Sequence, residues 1–258
     1  MNRDLHFFLT EWFDQYVNRY RDAEGLLPAA LELKYTHSKR VAENARLIAG
    51  GLELADDVVL LTEVCGLMHD LGRFTQYTCY GSFSDAVTVD HGREGRRILE
   101  TEGLPEMLGA GDWPQMACSV EYHNRKVSDI PAGIPAETEC LLKLIRDADK
   151  LDIMDLVLKS VRRDGFRELP DMLPHISTSR ELTAAVIDEV MKTKTVSTGS
   201  LATVTDFLIM LASWFYDLNY AVTRRLAVSR SIIERLKQEL PDTPAVRTLL
   251  NDIRKMEN

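Results

Sequence analysis

The sequence predicts an all-α protein, and three observations carry that prediction. Apolar residues recur at helical spacing along most of the chain, so that each stretch has one apolar face. No run of alternating, β-branched residues bounded by turns competes with these stretches, which leaves a sheet without support. Glycine and proline punctuate the pattern at Gly25, Gly50, Gly51, Gly72, Gly103 and Pro114, as expected where helices stop and start. There is no internal repeat. The expected architecture is a single helical domain over 1–258, with a bundle core at 30–155 and the helices of 165–258 packed on it.

Residues 2 to 24 are amphipathic and rich in aromatic side chains, predicting a first helix that ends near Gly25, with Pro28 beyond it. Residues 36 to 49 predict a second, with Val41, Ala45 and Ile48 on one face and Gly50 and Gly51 as its stop. Asp56 or Asp57 is expected to cap a third helix, apolar enough from Val58 to Met68 to be central and buried, and ending at Gly72. The stretch from Phe74 to Val89 reads as a loop holding Tyr77, Tyr80, Gly81 and Phe83. Helices follow from about Asp90 to Glu102 and from near Pro114 to about His123. After a loop marked by Pro131, Gly133 and Pro135, another runs from about Ala136 past Asp152.

Residues 164 to 180, with Gly165, Pro170 and Pro174, read as irregular chain that joins helices of one fold, with a linker as the alternative. Three or four amphipathic helices fill the remainder. Trp214, Phe215, Leu218 and Tyr220 are expected core residues, and Pro241 and Pro244 set off the last helix.

Of the 258 residues, 45% are apolar and 28% charged, the profile of a soluble globular protein. The formal net charge of −9 provides no global basic field, so no nucleic-acid polymer is expected as a partner. A small anionic substrate is not excluded, because a metal and a few local arginines can overcome the global charge. The cysteines Cys65, Cys79, Cys118 and Cys140 are far apart and form no C-x-x-C pair, which points to free thiols in a reducing cytoplasm. Asp4, His6, Glu11 and Asp14 interrupt every apolar run near the start, unlike a signal peptide. No stretch approaches the ~20 apolar residues of a spanning helix. The expected location is cytoplasmic, with no membrane partner, and a homo-oligomer is compatible with the sequence.

Four of the six histidines fall in the helical core at telling positions. His37 continues the stripe of Val41, Ala45 and Ile48; His69 lies four residues after Cys65; His91 shares a face with Gly95 and Ile98. His123 shares one with Met116 and Val120, and Asp149 follows Ile145 and Leu142 at helical spacing. Periodicity therefore points all five inward, and Asp70, at the end of its helix, can reach the same cavity. Any one such histidine is most often a satisfied core residue. Six inward-facing groups are different, because each buried imidazole and carboxylate needs a partner. A divalent cation supplies one, since neutral imidazole and ionised carboxylate are ligands for Mn, Fe, Co, Ni or Zn. His6 and His175 belong to no such pattern, and periodicity does not separate Asp149 from Asp147.

Three segments resemble the signature of HD-domain phosphohydrolases: Thr36-His37-Ser38-Lys39-Arg40-Val41-Ala42, Met68-His69-Asp70-Leu71-Gly72-Arg73 and Asp147-Ala148-Asp149-Lys150-Leu151. The resemblance covers roughly residues 30 to 155 and implies an HD-domain helical bundle with additional C-terminal helices. The family's last ligand usually follows Ala and precedes a basic residue, which favours Asp149. Asp90-His91-Gly92-Arg93-Glu94-Gly95 and Tyr122-His123-Asn124 stand where the two-metal subset carries extra ligands. That subset is similar to cyclic-di-nucleotide phosphodiesterases and dinucleoside polyphosphate hydrolases. By this resemblance His37, His69, Asp70 and Asp149 hold one ion, and Asp70 bridges to a second held by His91 and His123. The ions implied are two divalent cations, Mn, Fe, Ni, Co or Mg. One departure weakens the cyclic-di-nucleotide reading: the paired histidines of those enzymes are here His123 followed by Asn124.

Two cations sharing Asp70 would lower the pKa of bound water, so that hydroxide attacks phosphorus without a protein nucleophile. Asp70 and Arg73 are the catalytic candidates; Arg73 corresponds to a basic position that often faces phosphate in related proteins, and is either a phosphate clamp through its forked guanidinium or a solvated arginine. Lys150, Arg93, Arg96 and Arg97 are weaker candidates. Tyr77, Tyr80 and Phe83, between the His-Asp pair and His91, either stack on a base, which makes a nucleotide the expected substrate, or plug the core. No Gly-rich phosphate loop or dinucleotide fingerprint is present. The competing readings are a di-iron oxygenase, since some HD proteins share this ligand order, and a non-enzymatic HD signalling module.

Overall fold

The computed structural model of the chain describes residues 1–165 and 176–257. They fall into two compact units, Met1–Asp152 and Ile153–Asn258. Among the described residues there is no strand, and a single isolated parallel bridge joins Ser177 to Thr203. The expected all-α class is observed. No helix among the described residues is long and apolar enough to cross a membrane.

In the first unit, α1 spans Arg3–Asn18 and is opened by Asn2, whose side chain accepts from the Leu5 N–H at 2.8 Å. It stops earlier than predicted. The Asp22 carboxylate accepts from the Glu24 and Leu26 N–H groups, and this local competitor turns the chain out of the helix before Gly25. The second helix, α2, covers Ala29–Gly51, starting directly after Pro28 and running through both predicted stop glycines. The break comes at Glu53, which adopts a left-handed φ of 56°. In α3, Asp56–Met68, Ala55 occupies the cap position and both aspartates lie in the first turn, where they complement the helix dipole rather than cap it. As expected, α3 is central: its second half is buried and it packs on α1 and α2.

The predicted loop after Gly72 is partly a helix, α4, Gly72–Tyr80. Phe74 anchors it, fully buried against Phe13, Tyr16 and Tyr20 at ring distances of 6.3, 6.2 and 5.5 Å. These partners come from a distant stretch of chain, so no local pattern announces them. Helix α5, His91–Thr101, is capped by the Asp90 side chain, which accepts from the Arg93 N–H at 2.9 Å. Helix α6, Leu104–Tyr122, begins well before the predicted start and is kinked at Gly109, with φ 66°. Pro114 sits inside it instead of opening it. Helix α7, Ala136–Asp164, extends the stripe recognised from Ala136 onward.

In the second unit, five described helices replace the predicted three or four: α8 Ala184–Thr193, α9 Val204–Ser213, α10 Ala221–Ser229, α11 Ile232–Glu239 and α12 Pro244–Arg254. The count rises because Ser231, at φ 54°, divides α10 from α11. Helix α9 is buried on every side and opens on a reciprocal capping box between Thr203 and Asp206. Phe215 and Leu218 are core, while Trp214 and Tyr220 are half-buried. Pro244 starts the last helix as read. Pro170, Pro174 and His175, and most of the stretch read as irregular, lie outside the described residues.

Candidate metal centre

Five elements of the first unit bring the ligand-type residues together. His37 lies on the inward stripe of α2, and His69 and Asp70 occupy the turn between α3 and α4. His91 is the first residue of α5, His123 directly follows α6, and Asp149 lies on α7. All are buried except Asp149, whose side chain is 19% exposed. His37 Nε2 lies 3.1 Å from Asp149 Oδ1 and 3.2 Å from His69 Nε2. On the other side, His91 Nε2 lies 3.1 Å from His123 Nε2 and 3.3 Å from Asp70 Oδ1. Asp70 stands between the two pairs, with Oδ2 3.6 Å from His37 Nε2 and Oδ1 3.7 Å from His123 Nε2. Two sets have donor atoms close enough to share an ion: His37, His69 and Asp149, and His69, Asp70 and His123.

The outer nitrogen of each ring decides what the inner one can do. His69 Nδ1 and His123 Nδ1 face the carbonyls of Gly66 and Val120 at 2.7 and 2.8 Å. A carbonyl only accepts, so both Nδ1 atoms carry the proton. His37 Nδ1 and His91 Nδ1 face the carboxylates of Asp152 and Asp85 at 2.7 and 2.6 Å, with the same consequence. All four Nε2 atoms therefore point inward, against one another and against carboxylate oxygens, with His37 Nε2 3.1 Å from Asp149 Oδ1. Such a cluster offers its lone pairs to a cation once any proton held among them is displaced. Carboxylates and carbonyls that fix the outer nitrogen are also what orient metal-binding histidines generally, so the residues fit a divalent ion.

The charges around the site agree. Burial holds His91 down to about 3 and lowers His69, keeping both in the ligand form. His91 also sits at the start of α5, where the dipole opposes a positive ring. Asp70 and Asp149 stay well below the usual carboxylate range against the effect of burial, Asp70 chiefly through Lys34 and Asp149 through His37 and His69. Burial opposes a charge on His37 too, but its bonds to Asp149 and Asp152 outweigh it and raise the ring to about 9. A proton thus takes the cation's place at His37 in metal-free protein. Metal uptake at pH 7 should displace it, and affinity should weaken roughly tenfold per unit as pH falls below about 9. Calorimetry in buffers of different ionisation enthalpy measures this release; uptake with no proton released would contradict it.

Several residues that the sequence did not single out complete the site. Lys34 is 7% exposed and its Nζ lies 2.8 Å from Asp70 Oδ2; its signal was a position three residues before His37 on the same helix face. Asp152 follows Asp149 by one turn and holds both His37 and Arg40, the latter at 2.7 Å. Asp85 joins His91, Arg73, Gln76 and Asn124. Arg146, buried on α7, donates to the carbonyls of His123 and Arg125, satisfying groups that the end of α6 leaves open and fixing the chain that carries His123.

Other candidates fall elsewhere. Asp147 is fully buried and belongs to neither ion-sized group. Arg93, Arg96 and Arg97 are engaged by Glu121, Glu100 and Glu94, and Lys150 is half-buried on α7. His6 pairs with Glu63 at 3.2 Å. Of the aromatic trio, Phe83 is buried beside the site, with its ring 5.4 Å from Lys34 Nζ and 5.8 Å from Arg73 Cζ. The Tyr77 ring lies tilted by 32° against Phe83 at 4.8 Å, and Tyr80 is 54% exposed.

A family model described as HD domain matches residues 35–154, a stretch that contains all six ligand-type residues. No curated protein and no solved structure matched the chain.

Proposed function

We propose, from the HD domain that residues 35–154 form, that the chain is a metal-dependent phosphohydrolase cleaving a phosphate ester or anhydride of a small molecule. The observation that carries this reading is the inward convergence of four imidazole Nε2 atoms and two carboxylates, each ring oriented by the partner of its outer nitrogen. His37, His69, Asp70 and Asp149 would hold one divalent cation, and Asp70, His91 and His123 a second. When bound, the cations supply Lewis-acid charge for phosphoryl oxygens and an activated water as nucleophile. The chain's part is to keep this set rigid and dry. Asp85 and Asp152 fix the tautomers of His91 and His37, Arg146 holds the turn at His123, and the burial of the rings excludes bulk water, which strengthens every charge–charge interaction inside.

A nucleotide is the substrate class this surrounding supports best, because the site adjoins the Phe83 and Tyr77 ring pair and the exposed Tyr80 lies on the same short helix as Tyr77. A base stacked on such rings gains about 1–3 kcal/mol. The test is phosphate release across nucleotides by protein loaded with Mn, Ni, Co or Mg. Oxygen uptake by the iron-loaded protein without phosphate release would transfer the assignment to oxygenase chemistry. Metal binding with neither activity would make the domain a signalling module.

The number of ions has its own test. Saturated wild-type protein is expected to carry two per chain and a His91→Ala, His123→Ala double variant one, measured by elemental analysis. One ion in both, at similar affinity, would make the site mononuclear.

A further inference from the structure

We propose that Lys34 is the residue that grips the transferred phosphoryl group, and that Arg73, the expected clamp, is a positioning residue. The assignment rests on the phosphohydrolase reading above. Lys34 lies one residue before the stretch that matches the HD model, so the family match does not assign it.

The two cations differ in what they have left to offer. Arg73 donates through Nη1 to Gln76 Oε1, Phe83 O and Asp85 Oδ1, at 2.8, 2.5 and 2.8 Å. Its Nε faces Asp70 Oδ1 at 3.4 Å, buried and without a hydrogen bond. A forked grip on phosphate needs two parallel N–H groups. With Nη1 committed to three oxygens and Nε turned to Asp70, only Nη2 remains for a phosphate oxygen, and it lacks a second free N–H beside it to complete the fork. Arg73 instead ties Asp70 to the segment that carries Phe83 and Asp85. Lys34 is the opposite case. An ammonium has three donors, and the one hydrogen-bond acceptor of Lys34 among the described residues is Asp70 Oδ2. A buried ammonium with N–H groups left over is costly, and it stands at the edge of the ligand set, over the Phe83 ring.

Charge pairing points the same way. Asp152 is matched by Arg40 and Asp85 by Arg73, while Lys34 is matched by Asp70. Divalent cations held by Asp70 would take over that carboxylate, and the Lys34 ammonium would then lack its counter-charge. A phosphoryl dianion supplies that charge, with its non-bridging oxygens as acceptors for the unused N–H groups.

Inorganic phosphate, the shared product of any such ester or anhydride, is the probe. Manganese-loaded wild-type protein should bind it by calorimetry. Lys34→Met should keep wild-type manganese stoichiometry and bind phosphate at least tenfold more weakly, and Lys34→Arg should restore most of that affinity. Arg73→Met should instead lower manganese occupancy and melting temperature, and regain phosphate affinity at saturating manganese. Circular dichroism verifies that each variant is folded; if Lys34→Met does not fold, Lys34→Gln and Lys34→Arg carry the comparison. Unchanged phosphate affinity without the ammonium, loss of manganese from a folded Lys34 variant, or no phosphate binding by the wild type would overturn the assignment. Phosphate bound through Lys34 by a protein that hydrolyses no ester would sink the hydrolase reading, and with it the transfer role, and leave Lys34 as a phosphate-binding residue.

Discussion

Asp70→Ala is expected to lose both ions and, with them, hydrolysis by on the order of a thousandfold or more. Its carboxylate is shared: Oδ1 faces His91 and His123 at 3.3 and 3.7 Å, and Oδ2 faces His37 and His69 at 3.6 and 3.7 Å. On the proposed two-ion reading, removing it would take a donor from each cation at once, whereas Asp149→Ala would remove one only from the side of His37 and His69. The rate estimate follows because Lewis-acid stabilisation is worth several kcal/mol and each ~1.4 kcal/mol is a factor of ten in rate. Stability complicates the experiment. Without Asp70, the buried Lys34 ammonium is unpaired, and breaking a buried pair on one side costs about 3–5 kcal/mol. Asp70→Asn separates the effects: the amide keeps a hydrogen-bond acceptor for Lys34 but not the bridging charge. The expected result is a folded Asp70→Asn protein with metal and turnover lost together. A folded variant that keeps two ions at wild-type affinity would remove Asp70 from its bridging role.

Which parts of this molecule can be read from its residues follows from where their stabilisation comes from. The stripes of α2, α3 and α7 are local, so their helices and the inward positions of His37 and His69 are legible in the residues alone, while the choice of Asp149 over Asp147 comes from the family resemblance. Helix α4 is not legible in this way, because its anchor is Phe74 among three aromatic rings contributed by α1 and the turn after it, and the polar Thr75, Gln76 and Thr78 around that anchor blur any apolar stripe. Gly50 and Gly51 read as a stop, yet α2 continues through them; a helical glycine costs roughly 1 kcal/mol, less than the packing of α2 on α3 returns. The ligand types stand out because imidazoles and carboxylates are unexpected on apolar faces. Lys34 and Asp85 do not, because a lysine on a helix and an aspartate in a loop are ordinarily solvated. Only the tertiary placement of Asp70 beside Lys34, and of His91 beside Asp85, gives those charges a purpose.

Gly72→Ala is the second large effect, and it arises from backbone packing instead of ligand chemistry. A Cβ at Gly72 would lie 2.1 Å from the His91 carbonyl oxygen and 2.7 Å from the Gly95 amide nitrogen. Both are backbone atoms of α5, so no rotamer change relieves the overlap, and the start of α5 must move by about an ångström to restore an ordinary contact. That end of α5 carries His91, whose Nε2 is 3.3 Å from Asp70 Oδ1 and 3.1 Å from His123 Nε2. Metal ligands tolerate shifts of only about 0.2 Å. The ion at His91 and His123 should therefore be lost while the one at His37, His69 and Asp149 is retained. Overpacking of this kind costs about 1–3 kcal/mol, which for a chain of this size lowers the melting temperature by roughly 2–4 °C per kcal/mol. Gly50→Ala is the internal control: its Cβ meets nothing within 4 Å, and an added methyl within a helix should stabilise by roughly 0.5–1 kcal/mol. Gly72→Ala is thus expected to melt several degrees below wild type with one ion per chain, and Gly50→Ala slightly above it with two. Two ions at wild-type affinity in Gly72→Ala would show that the His91 ligand does not depend on the close approach of α4 to α5.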